Sequence, residues 1–303
     1  MATVLDPLVI ALLLTAALMH ATWNALLKSD RGDRLATFGV IMGMGALQGA
    51  ILVPFLPMID AAAWRWAACS VVIHVFYYVF LLKAYAYGDL SHAYPIARGS
   101  GPLLVAVFSG RLLDEALRLQ DVVGVVLLSA GLIALALPER NGRAAETATP
   151  EARRRHRLTT LFALLTGVTI ALYIVADGLG VRAAGPTLEH KISYIAWLNL
   201  LEGPWLLLFA IWRRPRAVLG YLRTNWQRGV AGGLVAHGGY GIAIWALSQG
   251  PMAHVAALRE TSVLFATLIG TLLLGERFGR RRAVAAALVV IGLLTMNLPL
   301  AAR

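Results

Sequence analysis

The sequence predicts an all-α integral membrane protein with ten transmembrane helices, built as two inverted five-helix repeats. Three observations lead to this prediction. Of the 303 residues, 59% are apolar and only 14% are charged, which is far too apolar for a soluble domain of this length. Apolar segments of spanning length recur along the whole chain. One segment of the first half also recurs in the second half.

Ten apolar segments are each long enough to cross a bilayer, since a spanning helix needs about 20 mostly apolar residues. Short stretches with charges, prolines or glycines separate them. The predicted spans are residues 8–27, 35–56, 66–87, 93–112, 119–137, 158–180, 192–212, 227–248, 254–274 and 283–300. The single cysteine, Cys69, excludes an internal disulfide and a multi-cysteine metal site, and no cofactor or metal is expected.

The net charge of +11 is typical of nucleic-acid binding when it lies on a soluble surface. Here the lysines and arginines lie in loops between apolar spans, so they predict topology and no nucleic-acid partner. Each loop is numbered after the span that precedes it. Nineteen of the lysines and arginines fall in odd-numbered loops and five in even-numbered loops. Because positive loops stay in the cytoplasm, we expect both termini to face outward across the cell's inner or plasma membrane.

A polar stretch divides the chain into a first repeat over residues 1–137, a linker over 138–157 and a second repeat over 158–303. The segment that begins at Gly88 matches the segment that begins at Gly250 when one residue is dropped after the histidine. The matched pairs are His92 with His254, Arg98 with Arg259, Ser100 with Thr261, and Glu115 with Glu276. An odd number of spans in each repeat makes the second copy cross the membrane in the opposite sense, as in many secondary transporters.

Three segments carry a resemblance to a known family: "HATWNALLKSD" from His20, "AYAYGDLSHAYPIARGSGPLLVA" from Ala84, and "LLLGERF" from Leu272. In these segments the chain resembles the ten-helix EamA-type permeases of the drug/metabolite transporter superfamily. The second half lacks a "WNALLK" of its own. The resemblance implies two inverted five-helix bundles around a central cavity, lined by the first, third and fourth helices of each half. It also implies cytoplasmic termini, whereas the loop charges of this chain predict the reverse.

Ionisable residues within predicted spans are candidates for function, because each costs roughly 2.5 to 3.5 kcal/mol to place at membrane depth. Arg98 and Arg259 each lie about seven residues into a helix, roughly 10 Å below the surface. In inverted repeats they would approach the midplane from opposite faces and suit a carboxylate or phosphonate, since arginine offers a planar fork to an oxyanion. The alternative is that each arginine pairs with a buried carboxylate or snorkels to the headgroups.

Three carboxylates, Asp177, Glu202 and Glu260, are candidates for proton coupling. Asp177 shares a helical face with Tyr173, and Glu202 shares one with Tyr194, Leu198 and Trp205. The alternative is a structural role as partners of the arginines.

Aromatic and polar side chains at helical spacing are candidates for the wall of a substrate site. The third span places His74, Tyr78 and Tyr85 on one face, and the eighth span places His237 and Tyr240 near the equivalent positions. The further candidates are Tyr94 in the fourth span, Tyr173 in the sixth, and Trp23 and Asn24, which form a polar stripe with His20 and Lys28 in the first. Packing is the alternative for the aromatic residues, while a lipid-facing Asn24 would be costly.

These patterns favour a secondary-active transporter of a small organic metabolite: an organic anion, an amino acid or a similar zwitterion. The sequence lacks the GxSxG, HExxH and glycine-rich phosphate-loop motifs of enzymes, so we expect no enzymatic activity. The alternatives are a flippase for a lipid or lipid-linked solute and a non-transporting membrane sensor or scaffold. The expected partners are the substrate, the bilayer and protons as coupling ion, with the chain a monomer or a homodimer.

A reporter fused after Arg303 tests the predicted orientation. Because the odd-numbered loops carry most of the positive charge, we expect a periplasmic phosphatase fused there to be active and a cytoplasmic fluorescent reporter to stay dark. A fluorescent cytoplasmic fusion at this position would overturn the orientation.

Overall fold

The computed structural model of this chain describes residues 5–30, 32–88, 90–112, 115, 117–136, 149–274 and 279–297. These residues form twelve α-helices and one short 3-10 turn, Val53–Phe55, with no strand in this part of the chain. The helices are α1 Pro7–Ser29, α2 Arg34–Leu52, α3 Ala61–Tyr87, α4 Leu90–Leu112, α5 Leu119–Ala136, α6 Pro150–Arg182, α7 Leu188–Arg213, α8 Pro215–Thr224, α9 Trp226–Ala246, α10 Met252–Arg259, α11 Thr261–Leu274 and α12 Arg280–Asn297. Of the matched residues, Glu276 lies outside the described part.

Each predicted span overlaps one helix or a pair of helices in the described part of the chain, which confirms the all-α prediction. Within the described residues, six helical segments are long and apolar enough to cross a membrane, and Leu119–Leu135 is a shorter apolar helix. The six are Pro7–Leu27, Arg34–Phe55, Ala61–Tyr87, Pro150–Arg182, Leu188–Arg213 and Met252–Leu272. The chain is therefore an all-helical, multi-pass membrane protein.

Three features differ from the sequence prediction. Helix α6 begins at Pro150, eight residues before the predicted start of the sixth span at 158. The ninth span, predicted as unbroken over 254–274, is divided at Glu260 into α10 and α11. The loop between the seventh and eighth spans contains an additional helix, α8.

Side chains at the helix starts explain where several helices begin. The Asp6 carboxylate accepts a hydrogen bond from the Leu8 amide at 2.8 Å, and Pro7 supplies a preset helical φ. The Asp33 carboxylate accepts from the Leu35 and Ala36 amides at the start of α2. These caps satisfy amides that have no partner within their own helix.

The helices belong to two contact units. The first unit comprises Met1–Val72, Ala176–Pro251 and Leu258–Arg277. Within it, α1 packs against α9 and α11, and α2 packs against α7 and α9. Each of these pairs joins a helix of the first half of the chain to a helix of the second.

The second unit comprises Ile73–Val175, Met252–Ala257 and Phe278–Arg303. Within it, α5 packs against α4 and α12. Tyr87 of α3 stacks on Phe162 of α6, with ring centroids 5.7 Å apart. Ile96 of α4 packs in one buried cluster with Ala163 of α6. Helix α6 therefore packs against the third and fourth helices of the first half.

The same pairing rule holds in both units. In the first unit, α1 is the first span of the first half and packs against the third and fourth spans of the second half. In the second unit, α6 is the first span of the second half and packs against the third and fourth spans of the first half. Second spans pair as α2 with α7, and fifth spans pair as α5 with α12. The recurrence agrees with the two-repeat prediction, while the boundaries at 137 and 157 remain predictions.

Glycines allow the closest of these helix pairs to approach. A Cβ on Gly292 of α12 would lie 2.5 Å from the Gly124 carbonyl oxygen and 2.7 Å from the Leu128 amide nitrogen of α5. A Cβ on Gly203 of α7 would lie 2.9 Å from the Met42 carbonyl oxygen of α2. Small residues at such positions let backbones pack closely in lipid, where the hydrophobic effect does not drive association.

Substitution of Gly292 by alanine tests this close packing. We expect Gly292→Ala to destabilise the protein by about 1–3 kcal/mol, because the added methyl group meets backbone atoms that cannot move aside. Gly220→Ala is the matched control, since nothing lies within 4 Å of a Cβ at that position. Thermal unfolding in detergent measures both variants, and an unchanged midpoint for Gly292→Ala would refute the glycine contact.

Candidate functional site

Three ionisable or polar side chains from separate helices meet in the first unit. The Tyr240 hydroxyl of α9 donates a hydrogen bond to Asp177 Oδ2 of α6 at 2.5 Å. The Arg259 guanidinium, at the end of α10, lies over the Tyr240 ring, 5.6 Å from its centroid. Asp177 is 1% exposed, whereas Tyr240 and Arg259 are half-buried. One tyrosine thus contacts a cation through its ring face and a carboxylate through its hydroxyl.

The break in the ninth span lies next to this group. Helix α10 ends at Arg259 and α11 begins at Thr261, with the buried Glu260 between them. The Thr261 hydroxyl donates to the Leu258 carbonyl at 2.7 Å, and the Val263 amide donates to the Glu260 carbonyl at 3.0 Å. Interrupted helices at membrane depth are tolerated only within protein or beside a cavity, and they recur at the binding sites of transporters.

Glu202 occupies a second buried polar position in the first unit. The Ser70 hydroxyl of α3 donates to Glu202 Oε1 of α7 at 3.2 Å. Tyr194, two turns earlier on α7, is fully buried and lies within electrostatic range of both Asp177 and Glu202. Tyr194 and Leu198 share the buried face of Glu202 as predicted, but Trp205 does not. Trp205 is 52% exposed, because the buried stripe continues through Leu206.

His237 and its predicted counterpart, His74, make different contacts. Its Nδ1 donates to the Gly233 carbonyl at 2.9 Å within α9, and its ring packs over Gly45 of α2. His74 instead stacks on Tyr173 of α6, with centroids 4.2 Å apart. The two histidines therefore occupy different environments, although their sequence positions correspond.

The polar stripe of α1 is satisfied largely within its own helix. The Asn24 amide donates to the His20 carbonyl at 2.7 Å, and the Trp23 indole donates to His20 Nδ1 at 3.3 Å. The Trp23 ring also stacks on Phe38 of α2, with centroids 5.9 Å apart. These contacts explain how α1 carries polar groups at membrane depth, and they favour packing as the role of Trp23. The side chain of Lys28 lies outside the described part.

The second unit contains an aromatic cluster formed by His74, Tyr77, Tyr78 and Tyr173. Ring centroids lie 5.3 Å apart between Tyr77 and Tyr78, 5.8 Å between Tyr77 and Tyr173, and 6.5 Å between His74 and Tyr78. The predicted lining residues His74, Tyr78 and Tyr173 are thus brought together. Tyr77, which is not among the predicted lining residues, also belongs to the cluster.

Arg98 lies on α4 in the second unit and is only 7% exposed. Tyr85 lies within electrostatic range of Arg98, of the predicted lining residue Tyr94 and of Tyr77. Tyr94 precedes Arg98 by about one turn of α4. The second unit therefore also combines a buried cation with tyrosine hydroxyls.

The matched histidines of the repeat have diverged as well. His92 Nε2 lies 3.1 Å from the Thr160 hydroxyl. His254 Nε2 lies 3.3 Å from Asp121 Oδ1, and the Arg118 guanidinium pairs with the same carboxylate. The sequence reasoning missed Asp121, and an acidic residue in the first turn of an apolar helix was the available signal.

Two regions of the chain match one known protein family. The model of the family described as "EamA-like transporter family" matches residues 7–137 and again residues 157–298. A solved structure described only as "Crystal structure of protein" is 20% identical, with a TM-score of 0.71 over 95% of this chain and 96% of that one. That likeness concerns the fold alone. No curated protein matches the chain.

Proposed function

Because the chain belongs to the EamA-like transporter family, we propose that it carries a small organic anion, an amino acid or a similar zwitterion across the membrane. Transport would proceed by alternating access of its two repeats, driven by a coupled ion. Its small-molecule substrate and its place in a bilayer follow from the family; the class of substrate and the coupling are our proposals.

The observation that carries this proposal is the group formed by Arg259, Tyr240 and Asp177 beside the break at Glu260. Arg259 supplies a fork for an oxyanion, and Tyr240 holds Asp177 by a short hydrogen bond. A carboxylate-bearing solute fits this combination of groups.

Arg98 is proposed as a second anion-binding residue, supported by its burial and by the neighbouring tyrosines. Within the second unit, the aromatic cluster of His74, Tyr77, Tyr78 and Tyr173 would provide an apolar surface with polar hydroxyl tips. Such a surface suits an organic solute better than an inorganic ion.

Asp177 is proposed as the proton-coupling carboxylate, with Glu202 and Glu260 as further candidates. Asp177 is nearly inaccessible, and a hydroxyl donor and a nearby cation can stabilise its charged form. Loss of one partner during the transport cycle would therefore favour protonation. Glu202 receives a hydrogen bond from Ser70, which favours a structural role for that carboxylate.

We propose the inner or plasma membrane as the location, with the odd-numbered loops in the cytoplasm and both termini outside. We propose that one chain, as a monomer or within a homodimer, forms a complete transport unit. A homodimer would carry two such sites.

Substitution of the arginines tests the anion site. We expect Arg98→Gln or Arg259→Gln to abolish the rise in unfolding temperature that a bound solute causes, because the oxyanion loses its cation. The probes are alanine, glutamate, malate and a small alkylphosphonate. Arg65→Gln, at an exposed position of α3, is the matched control. Unchanged binding in both variants, or no probe that stabilises the wild-type protein, would count against the anion or zwitterion proposal.

Substitution of Asp177 tests the coupling. We expect Asp177→Asn to lose accumulation driven by a proton gradient in vesicles while retaining exchange of labelled for unlabelled solute, because binding persists without a titrating group. Asp60→Asn, at an exposed carboxylate before α3, is the matched control. Full proton-driven accumulation by Asp177→Asn would exclude this residue as the coupling site.

A further inference from the structure

Helix α8 has no part in the proposed transport mechanism, yet it is firmly attached to the protein. It comprises ten residues, Pro215–Thr224, and is far too short to cross a bilayer. Val218 and Tyr221 are buried in a cluster with Ala36 and Val40 of α2. Burial raises the pKa of the Tyr221 hydroxyl, which keeps this ring neutral where it packs. One side of α8 is therefore fixed against the body of the first unit.

A second side of α8 is apolar and exposed. Leu219 is 55% and Leu222 43% exposed. Two exposed tryptophans flank the helix: Trp212 ends the seventh span at 72% exposure, and Trp226 begins the eighth at 54%. Tryptophans at the ends of spanning helices mark the level of the lipid headgroups. The helix that carries the exposed leucines lies between these two tryptophans in the chain.

A third side of α8 is basic. At 3.6 residues per turn, Leu219 and Leu222 lie roughly a quarter turn from Val218 and Tyr221, and Arg216 and Arg223 lie roughly a further quarter turn on. Gly220 completes the circle, with nothing within 4 Å of its Cβ position. Successive sides of α8 thus suit contact with the protein, with acyl chains, with lipid headgroups and with water.

We propose that α8 lies in the membrane interface and binds the headgroups of anionic phospholipids. The α8 surface consists of Trp212, Arg216, Leu219, Leu222, Arg223 and Trp226, and all six are exposed. The leucines enter the boundary between acyl chains and headgroups, while the arginines meet the phosphates. This proposal is independent of the transported solute.

Charge and position both select lipid as the occupant of this surface. Arg213 and Arg228 add further positive charge at the two ends, and the Arg213 guanidinium lies 5.3 Å from the Trp212 ring centroid. In the chain, α8 lies directly between α7 and α9, which correspond to the seventh and eighth predicted spans. An acidic soluble protein would have to displace lipid from the tryptophans in order to bind here.

The experiment compares the full chain in nanodiscs of phosphatidylcholine with nanodiscs in which about one quarter of the lipid is phosphatidylglycerol. We expect the wild-type unfolding temperature to be higher in the anionic discs and the difference to shrink at high salt. The double substitution Arg216→Gln and Arg223→Gln should remove at least half of that difference. Arg153→Gln with Arg154→Gln removes two exposed charges from the start of α6 and should retain it.

An undiminished difference in the α8 variant would overturn the proposal, and so would an equal loss in the α6 control. A second measurement addresses the position of α8 directly. Nitroxide labels at Leu219→Cys and Gly220→Cys, in a chain with the exposed Cys69 replaced by serine, report collisions with oxygen and with a water-soluble nickel chelate. We expect oxygen to dominate at position 219 and nickel at position 220. Equal or reversed accessibility would show that the leucines do not face lipid.

Discussion

The absence of water from the hydrocarbon core of a bilayer is the constraint on which the rest of this structure depends. Every backbone amide and carbonyl there must find a partner within the protein, which restricts the spanning segments of this chain to helices. The same constraint governs side chains. Asp177 is held by the Tyr240 hydroxyl, Glu202 by the Ser70 hydroxyl, and Asn24 by the carbonyl of His20. Polar groups at membrane depth are thus joined across helices or within one, and the helix pairs that do the joining position the candidate site.

Association of these helices depends on shape, because lipid offers them no hydrophobic driving force. Gly203 and Gly292 bring the second and the fifth spans of the two halves into backbone contact. The first spans are exchanged: α1 packs against α9 and α11, and α6 packs against α3 and α4. A displacement of α9 would therefore carry α1 with it.

Apolar length made most ends of the ten spans predictable to within about five residues, whereas α6 begins well before the apolar stretch of the sixth span. The break at Glu260 was not predictable, because no proline or glycine lies within four residues of it in the chain. Helix α8 was read as a loop because arginines interrupt its ten residues. Helical spacing predicted correctly that Tyr194 and Leu198 share the buried face of Glu202. It wrongly predicted Trp205 on that face, because the buried face continues through Leu206. Tyr240 and Asp177 are 63 positions apart in the chain, so helical periodicity could not predict their contact.

The charges of the candidate site connect binding with coupling in the proposed mechanism. Arg259, Asp177 and Glu260 together carry one positive and two negative charges when all are ionised. In that mechanism, an anionic solute that approaches Arg259 would raise the negative charge near Asp177 and so favour uptake of a proton. By thermodynamic linkage, a proton on Asp177 would strengthen binding of the anion to the same extent. Tyr240 touches both groups, since its ring faces Arg259 and its hydroxyl binds Asp177. Solute and proton would consequently bind together, so that a proton gradient drives the solute in the direction in which protons flow.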